Sequence, residues 1–307
     1  MQIIVSRVNI KGMMAVVTKN IKIAIASGKG GTGKTLVSTN LFYALKRKRI
    51  RVTLVDCDAE APNDMIFFDG SLTNSFDVTQ NVPVVDENKC TFCGKCRDYC
   101  NYNAIIIIPS SKVIKIIDDL CHGCGACSVA CEYDAVSEKD VVLGKVSRYS
   151  ITGLTSIIEA RLRIGVLSPV PVIKAAVKEA GNNGVCILDS PPGTSCPFIQ
   201  TVAGADYVIL VTEPTPFGLS DLIQSVETLK TMNKKYGVII NRAGVGSSDV
   251  YEYLNKERIP VYIEIPFDRT IAEKYSKGEI VVKSRPELQA GLISMFNSII
   301  RDEDNYP

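Results

Sequence analysis

The sequence predicts an α/β fold: a doubly wound, mostly parallel sheet interrupted by one small cysteine-rich insertion. Short apolar runs at 21–27, 52–56, 185–189, 207–212, 236–241 and 261–265 alternate with helical patterns, the rhythm of parallel strands joined by crossover helices. The first run feeds a glycine-rich loop that opens a helix. Between the second and third runs, two matched sets of four cysteines break the rhythm over about 82–142.

Taken in order, the first twenty residues precede the expected first strand, and Met13 or Met14 would be a more natural start; they read as an appended strand or a start-site ambiguity. The run 21–27 is apolar enough to be buried on both faces, as parallel strands are. Gly28-Lys29-Gly30-Gly31-Thr32-Gly33-Lys34-Thr35 then matches the phosphate loop in full. Its glycines let backbone N–H groups close round phosphates, Lys34 supplies charge to the β and γ oxygens, and Thr35 offers a hydroxyl to Mg2+. Residues 34–48 continue as a helix with a basic far end, which suits the helix dipole. The later runs repeat this strand–helix alternation, so the expected division is 1–81 and 143–307 for a nucleotide-binding domain and 82–142 for the insertion.

At 307 residues and 46% apolar content the chain can bury a sizeable core, which argues against disorder. Eleven cysteines would suit disulfides in a secreted chain, but Arg7 and Lys11 interrupt the N-terminal apolar residues and no small-residue cleavage site follows. A reducing cytoplasm is therefore expected. No apolar stretch reaches the roughly 18 residues of a membrane span, and 288–300 ends in acidic residues rather than a basic cluster, so no membrane partner is expected. The formal charge is +2. Cysteines held as thiolates in the insertion would take that charge toward negative values, which argues against nucleic acid.

The phosphate loop carries a lysine directly after its first glycine, and in this it resembles the deviant loop of the MinD/ParA superfamily, which includes the nitrogenase iron protein. The resemblance implies that Lys29 reaches across an ATP-dependent homodimer to the partner's nucleotide. It extends to most of the chain outside the insertion. Val55-Asp56-Cys57-Asp58 is similar to the family's switch I, which implies that Asp58 positions the attacking water and contacts Mg2+ through water, with Asp56 in support. Asp189-Ser190-Pro191-Pro192-Gly193 is similar to Walker B running into switch II, which implies Asp189 at the Mg2+ and Pro191, Pro192 and Gly193 free to follow the γ-phosphate. Asn241-Arg242 matches the adenine-contacting motif and Pro266-Phe267-Asp268 the base-side loop, which implies ATP rather than GTP. On this reading Lys29, Lys34 and Asp58 are catalytic, and Thr35, Asp58 and Asp189 serve Mg2+.

The insertion reads Cys90-x2-Cys93-x2-Cys96-x3-Cys100 and then Cys121-x2-Cys124-x2-Cys127-x3-Cys131, every cysteine recurring at an offset of 31. Gly94 and Gly125, Tyr102 and Tyr133, and Ala104 and Ala135 repeat at the same offset. This is the spacing of two-cluster bacterial-type ferredoxins, in which the fourth cysteine of each run ligates the other cluster. One 4Fe-4S cluster would take Cys90, Cys93, Cys96 and Cys131, and the other Cys100, Cys121, Cys124 and Cys127. Zinc sites pair Cys-x2-Cys motifs and leave no place for the third and the crossing fourth cysteine. Asn101 and Glu132 stand where ferredoxins usually carry proline, and His122, between two ligands, reads as a neighbour of the cluster rather than a ligand.

Three cysteines remain. Cys57 and Cys186 fall on apolar strands and read as core residues. Cys196 lies seven residues beyond Asp189, the spacing of a cluster-bridging cysteine in the nitrogenase iron protein, which makes it the candidate for a labile metal or bridging site; the second bridging cysteine has no counterpart in 165–177.

These readings together predict a cytoplasmic ATPase working as a nucleotide-gated homodimer, with ATP, Mg2+ and two 4Fe-4S clusters, and a redox or cofactor-assembly protein as partner. Three functions remain open at this point. One is ATP-gated electron transfer. The second is assembly or carriage of iron-sulfur or metal cofactors, although the scaffold ATPases of cluster biogenesis carry a late Cys-x2-Cys pair and none follows Cys196. The third is a redox sensor that binds ATP as a switch ligand.

Overall fold

The computed structural model describes residues 20–304, so the expectation of an appended N-terminal strand lies outside the described residues. Strand β1 (Ile21–Ala26) runs through the middle of the protein, and its alternation decides which residue meets which core. Ile21, Ile23 and Ile25 face one side, packed with Leu41, Phe42 and Phe296; Ala24 and Ala26 face the other, with Phe198 and Val226. Both faces are dry, which is why the strand reads as a continuous apolar run. Helix α1 (Lys34–Arg47) begins after Gly33 and ends on Lys46 and Arg47. It leads to β2 (Val52–Asp56), whose five residues are all buried.

The chain then departs from the parallel rhythm. Strand β3 (Ser71–Val85) runs along the edge of the sheet and on beyond it, and a cysteine-bearing lobe follows, made of the one-turn helix α2 (Lys95–Asp98), the hairpin β4 (Ile105–Ile108) and β5 (Val113–Ile116), and the one-turn helix α3 (Ala126–Val129). Strand β6 (Val136–Thr152) returns antiparallel to β3 along its whole length, from Val85↔Val136 to Ser71↔Ser150. Fifteen residues at strand rise make this ribbon about 50 Å long. The expected boundaries at 82 and 142 thus fall inside β3 and β6, and both strands run through them unbroken. Only the proximal half of β6 also pairs with β7 (Thr155–Leu162), which ties the ribbon to the sheet.

The remaining elements restore the crossover pattern: α4 (Val170–Ala180), β8 (Val185–Asp189), α5 (Cys196–Ala203), β9 (Tyr207–Thr212), α6 (Pro216–Thr231), β10 (Lys235–Ala243), α7 (Asp249–Lys256), β11 (Val261–Pro266), α8 (Arg269–Ser276) and α9 (Pro286–Asp304). The sheet is nine-stranded, in the order β11-β10-β9-β1-β8-β2-β7-β6-β3. Its strands are parallel from β11 to β7, and β6 and β3 form an antiparallel edge. Helices α4 to α7 cover one face; α1 and α9 cover the other. Between β1 and its neighbours β8 and β9 the connections diverge, and at such a switch point the carboxyl ends of the strands form a ligand crevice. Among the described residues no helix is long and apolar enough to cross a membrane.

Candidate nucleotide site and cysteine cradles

The loop 28–35 closes over the carboxyl end of β1. Gly33 takes φ 101°, a left-handed conformation that opens α1 and that side chains resist; a Cβ there would lie 2.4 Å from Asn241 Nδ2. At Gly28 a Cβ would strike the Asp221 carbonyl oxygen at 2.5 Å. Lys34 is buried, donating from Nζ to Ser27 Oγ at 3.0 Å and to the Lys29 carbonyl at 3.3 Å. Burial pulls its pKa down while Asp189 and Asp58 hold it up. A cation held in place with only neutral oxygens as hydrogen-bond partners is free to bind phosphate.

Asp189, at the end of β8, accepts the Thr35 hydroxyl on Oδ2 at 2.7 Å, while its buried Oδ1 has no donor. Burial raises its pKa to about 6, against the pull of Thr35 and Lys34. A hydroxyl, a carboxylate with one open oxygen and a neighbouring Asp58 form a hard-oxygen donor set that fits Mg2+, which keeps several waters. Asp58 lines the cleft, its pKa raised by burial and lowered by Lys34. Asp56 is a strut: its carboxylate accepts the backbone N–H groups of Asp58 (3.1 Å), Asn63 (2.7 Å) and Asp64 (2.9 Å), which shapes the loop carrying Asp58.

These groups open on a cleft of about 1160 Å³ including its mouth, lined by Gly30, Gly31, Gly33, Lys34, Thr35, Asp58, Pro192, Asn241 and Arg242, with Pro266, Phe267 and Asp268 at one end. Asn241 is half of a clasp: its amide donates to the Thr32 carbonyl at 2.8 Å and its oxygen accepts the Arg242 N–H at 2.9 Å. The carboxylate of Asp268 caps α8 by accepting the Thr270 N–H and pairs with Arg285, so its oxygens are already engaged. Gly193 donates its N–H to the Ser27 carbonyl at 3.2 Å, with φ 91° and open space where a Cβ would stand.

Gly28, Lys29 and Thr32 lie behind the loop, on a separate small crevice. Lys29 points away from the cleft to Glu213, 3.7 Å distant, a buried carboxylate that Arg242 also holds at 2.9 Å. Glu213 and Tyr275, which joins the cleft from α8, escaped sequence reasoning. Glu213 follows β9, a position where strand ends meet ligands in this topology, and that was the available signal.

In the lobe, the two cysteine runs are built alike. Gly94 and Gly125, with φ of 87° and 72°, turn the chain into α2 and α3, which is why glycine recurs at both places. The Asp86 N–H bonds the Ala135 carbonyl and the Ile117 N–H the Ala104 carbonyl, both at 2.8 Å; the pairs are related by the offset of 31 and interlock the halves. This interlocking crosses the fourth cysteines. One small hollow is lined by Cys90, Cys93, Cys96 and Cys131; the other by Cys100, Cys121, Cys124 and Cys127. Backbone N–H groups of Phe92, Ala104 and Gly123 point at the sulfurs of Cys90, Cys100 and Cys121, each at 3.4 Å. Four thiols around an open volume, with N–H groups aimed at sulfur, fit an iron-sulfur cluster as donor set. Among the described residues no three His, Cys, Asp or Glu side chains close on a single-ion position. His122 is exposed and stacks on Tyr102, ring centroids 3.8 Å apart, at the rim of the second cavity.

Of the other cysteines, Cys186 is buried on β8, its thiol pushed up to about 12 by burial. Cys57 is equally buried but stands just past the end of β2 rather than on it. Cys196 is exposed at the first position of α5.

Fold and site together define a P-loop nucleotide-binding protein. The model of the CobQ/CobB/MinD/ParA nucleotide binding domain matches residues 23–282. An uncharacterized Methanocaldococcus jannaschii protein is 33% identical over 283 residues, 91% of this chain and 96% of its own length. An iron-sulfur cluster carrier protein of Aquifex aeolicus is 25% identical over 86% of this chain and 62% of its own. Among solved structures, the Pyrococcus furiosus cell division ATPase MinD shares the fold with a TM-score of 0.54 at 19% identity, covering 91% of this chain and 99% of that one. The chain belongs to the CobQ/CobB/MinD/ParA family and is an ATP-binding P-loop ATPase.

Proposed function

We propose that this ATPase works as a homodimer that couples ATP turnover to electron transfer through two 4Fe-4S clusters held in its cysteine lobe. The observation that carries the reading is the crossed pair of four-cysteine cradles at the end of a ribbon rooted beside the nucleotide cleft. Cradled there, the clusters would supply one-electron exchange. The chain's own residues do the rest. Lys34 and the loop amides hold the phosphates, and Thr35 and Asp189 offer oxygens to Mg2+. Asp58 presents a carboxylate to the cleft, where it orients the attacking water. Lys29 leaves Glu213 to reach the nucleotide of a second copy, a move that its long 3.7 Å pairing makes inexpensive.

The link between the two chemistries is short. Ala59, next to Asp58, accepts the Leu162 N–H at 2.8 Å, and Leu162 pairs with Gly144 where β3 and β6 run on past the sheet, so movement of the loop at the γ-phosphate acts on the root of the ribbon. The Phe67 ring packs on Tyr275, 5.1 Å between centroids, and Tyr275 lines the cleft.

A second reading, carriage of iron-sulfur clusters, is favoured by the likeness to the Aquifex carrier protein. Four cysteines per cradle close a cubane and leave no labile position, which suits electron storage better than donation; the exposed Cys196 is the one thiol placed for transient metal. The two readings separate on anaerobically purified protein. Electron transfer predicts about eight irons per chain and ATP-dependent reduction of an acceptor with iron retained. Loss of iron to an apo-acceptor, undiminished in the eight-cysteine clusters' absence and abolished by Cys196→Ser, would establish carriage instead.

A further inference from the structure

We propose that Asp64 is a positioning residue for the Mg2+ that accompanies the nucleotide: its carboxylate takes a water of the ion's hydration shell and steadies the ion against Asp189 and Thr35. The inference deepens the nucleotide reading, on which it rests.

Three carboxylates, Asp56, Asp64 and Asp189, are buried beneath the cleft at 1%, 0% and 2% exposure. They are not equivalent. Asp56 spends both oxygens on three backbone N–H groups, including that of Asp64 itself. Neither oxygen of Asp64 meets a donor, and neither does Oδ1 of Asp189. Asp64 and Asp189 lie within hydrogen-bonding reach of one another, and burial with the negative charges of Asp56 and Asp189 pushes the Asp64 carboxyl well up, so that without an ion it keeps its proton. The groups that press most on Asp64 are all anionic: Asp56, Asp189 and Asp58. Lys34, the nearby cation, acts on Asp189 and Asp58 instead.

Buried acceptors without donors are costly, and two things relieve them here: a proton or a cation with its water. Thr35 and the open oxygen of Asp189 already point to where a hard cation belongs. Mg2+ gives up its waters reluctantly, and those waters need anionic acceptors. Asp64 supplies one at a place water cannot otherwise reach. It also begins the turn Asp64–Phe67, whose Phe67 ring packs on Tyr275 of the cleft.

The test uses the full chain, with Mn2+ as the probe for the ion and ADP as the nucleotide. Electron paramagnetic resonance titration of Mn2+ into the ADP-bound protein is expected to show at least tenfold weaker binding in Asp64→Asn, with ADP affinity in EDTA unchanged. In EDTA without nucleotide, the same variant exchanges a neutral carboxyl for a neutral amide of the same shape, so its melting temperature is expected to stay close to that of the wild type. Unchanged Mn2+ affinity would overturn the proposal. So would a markedly lower melting temperature in EDTA, which would make the Asp64 carboxyl part of the resting structure rather than a group kept for the ion. Binding of Mn2+ and ADP by the wild type is the separate check on the nucleotide reading, and its failure would overturn both.

Discussion

Gly33 and Asn241 are 208 residues apart in sequence and in contact across the nucleotide cleft, so substituting either one tests how the phosphate loop is joined to the base-side strand. Gly33→Ala forces a side chain onto φ 101°, which costs about 1–2 kcal/mol. The new Cβ also lies 2.4 Å from Asn241 Nδ2, and moving that amide off the Thr32 carbonyl adds about 1–3 kcal/mol. The single variant should therefore lose about 2–5 kcal/mol of stability. Asn241→Ala forfeits the bonds to Thr32 and Arg242, about 1–3 kcal/mol. In the double variant the obstructing amide is gone, so Gly33→Ala costs only its backbone strain, and the cycle should close with a favourable coupling of about 1–3 kcal/mol. Anaerobic urea unfolding in EDTA, followed by circular dichroism, measures all four corners. Additivity within about 0.5 kcal/mol would refute the contact as the reason for glycine at this position.

Other expectations follow from the same geometry. Lys29→Ala should abolish ATP hydrolysis while sparing ATP affinity, because Lys34 and the loop amides hold the phosphates within one subunit; a loss of affinity beyond about tenfold in equilibrium binding would contradict this. Cys131→Ser should remove the same resonance signals as Cys90→Ser, since both line one cavity, and each should lower iron from about eight to about four per chain; a match with Cys127→Ser would undo the crossed pairing. In metal-free protein Asp189 has its pKa raised from 3.8 to about 6, so the folded state holds that proton more tightly than the unfolded chain. The stabilising effect of that proton is complete below about pH 4 and is lost as pH rises through about 6. The melting temperature of wild type relative to Asp189→Asn in EDTA should accordingly fall across that window, and a flat difference would contradict the burial that raises the pKa.

The parallel strands were legible because they are buried on both faces: 52–56, 185–189 and 207–212 coincide with β2, β8 and β9, and β10 exceeds the expected 236–241 only at its ends. The ribbon was not. Ser71–Val85 is an exposed edge strand for most of its length, with no dry face to impose alternation, so nothing in its polar sequence marks a strand. That is also why boundaries placed by composition landed inside β3 and β6. The phosphate loop and the cysteine runs were readable because their chemistry depends on close spacing along the chain. Glu213 and Tyr275 join the site through the order of strands in the sheet, which local spacing does not encode. Asp268, in the loop read as base-side, lines the cleft while its carboxylate caps α8.

On the proposed reading nucleotide and clusters communicate, and thermodynamic reciprocity makes that coupling measurable without knowing the electron acceptor. If ATP binding alters the reduction potential of the clusters, reduction must alter ATP affinity by the same free energy, about 1.4 kcal/mol for a tenfold change. The decisive measurement is the dissociation constant of ATP for oxidised and for dithionite-reduced protein under anaerobic conditions, made on the Asp58→Ala variant so that turnover does not intervene. Coupling predicts a difference of several-fold or more, reduced to nothing when the eight lobe cysteines are replaced by serine. Equal affinity in both redox states would contradict it.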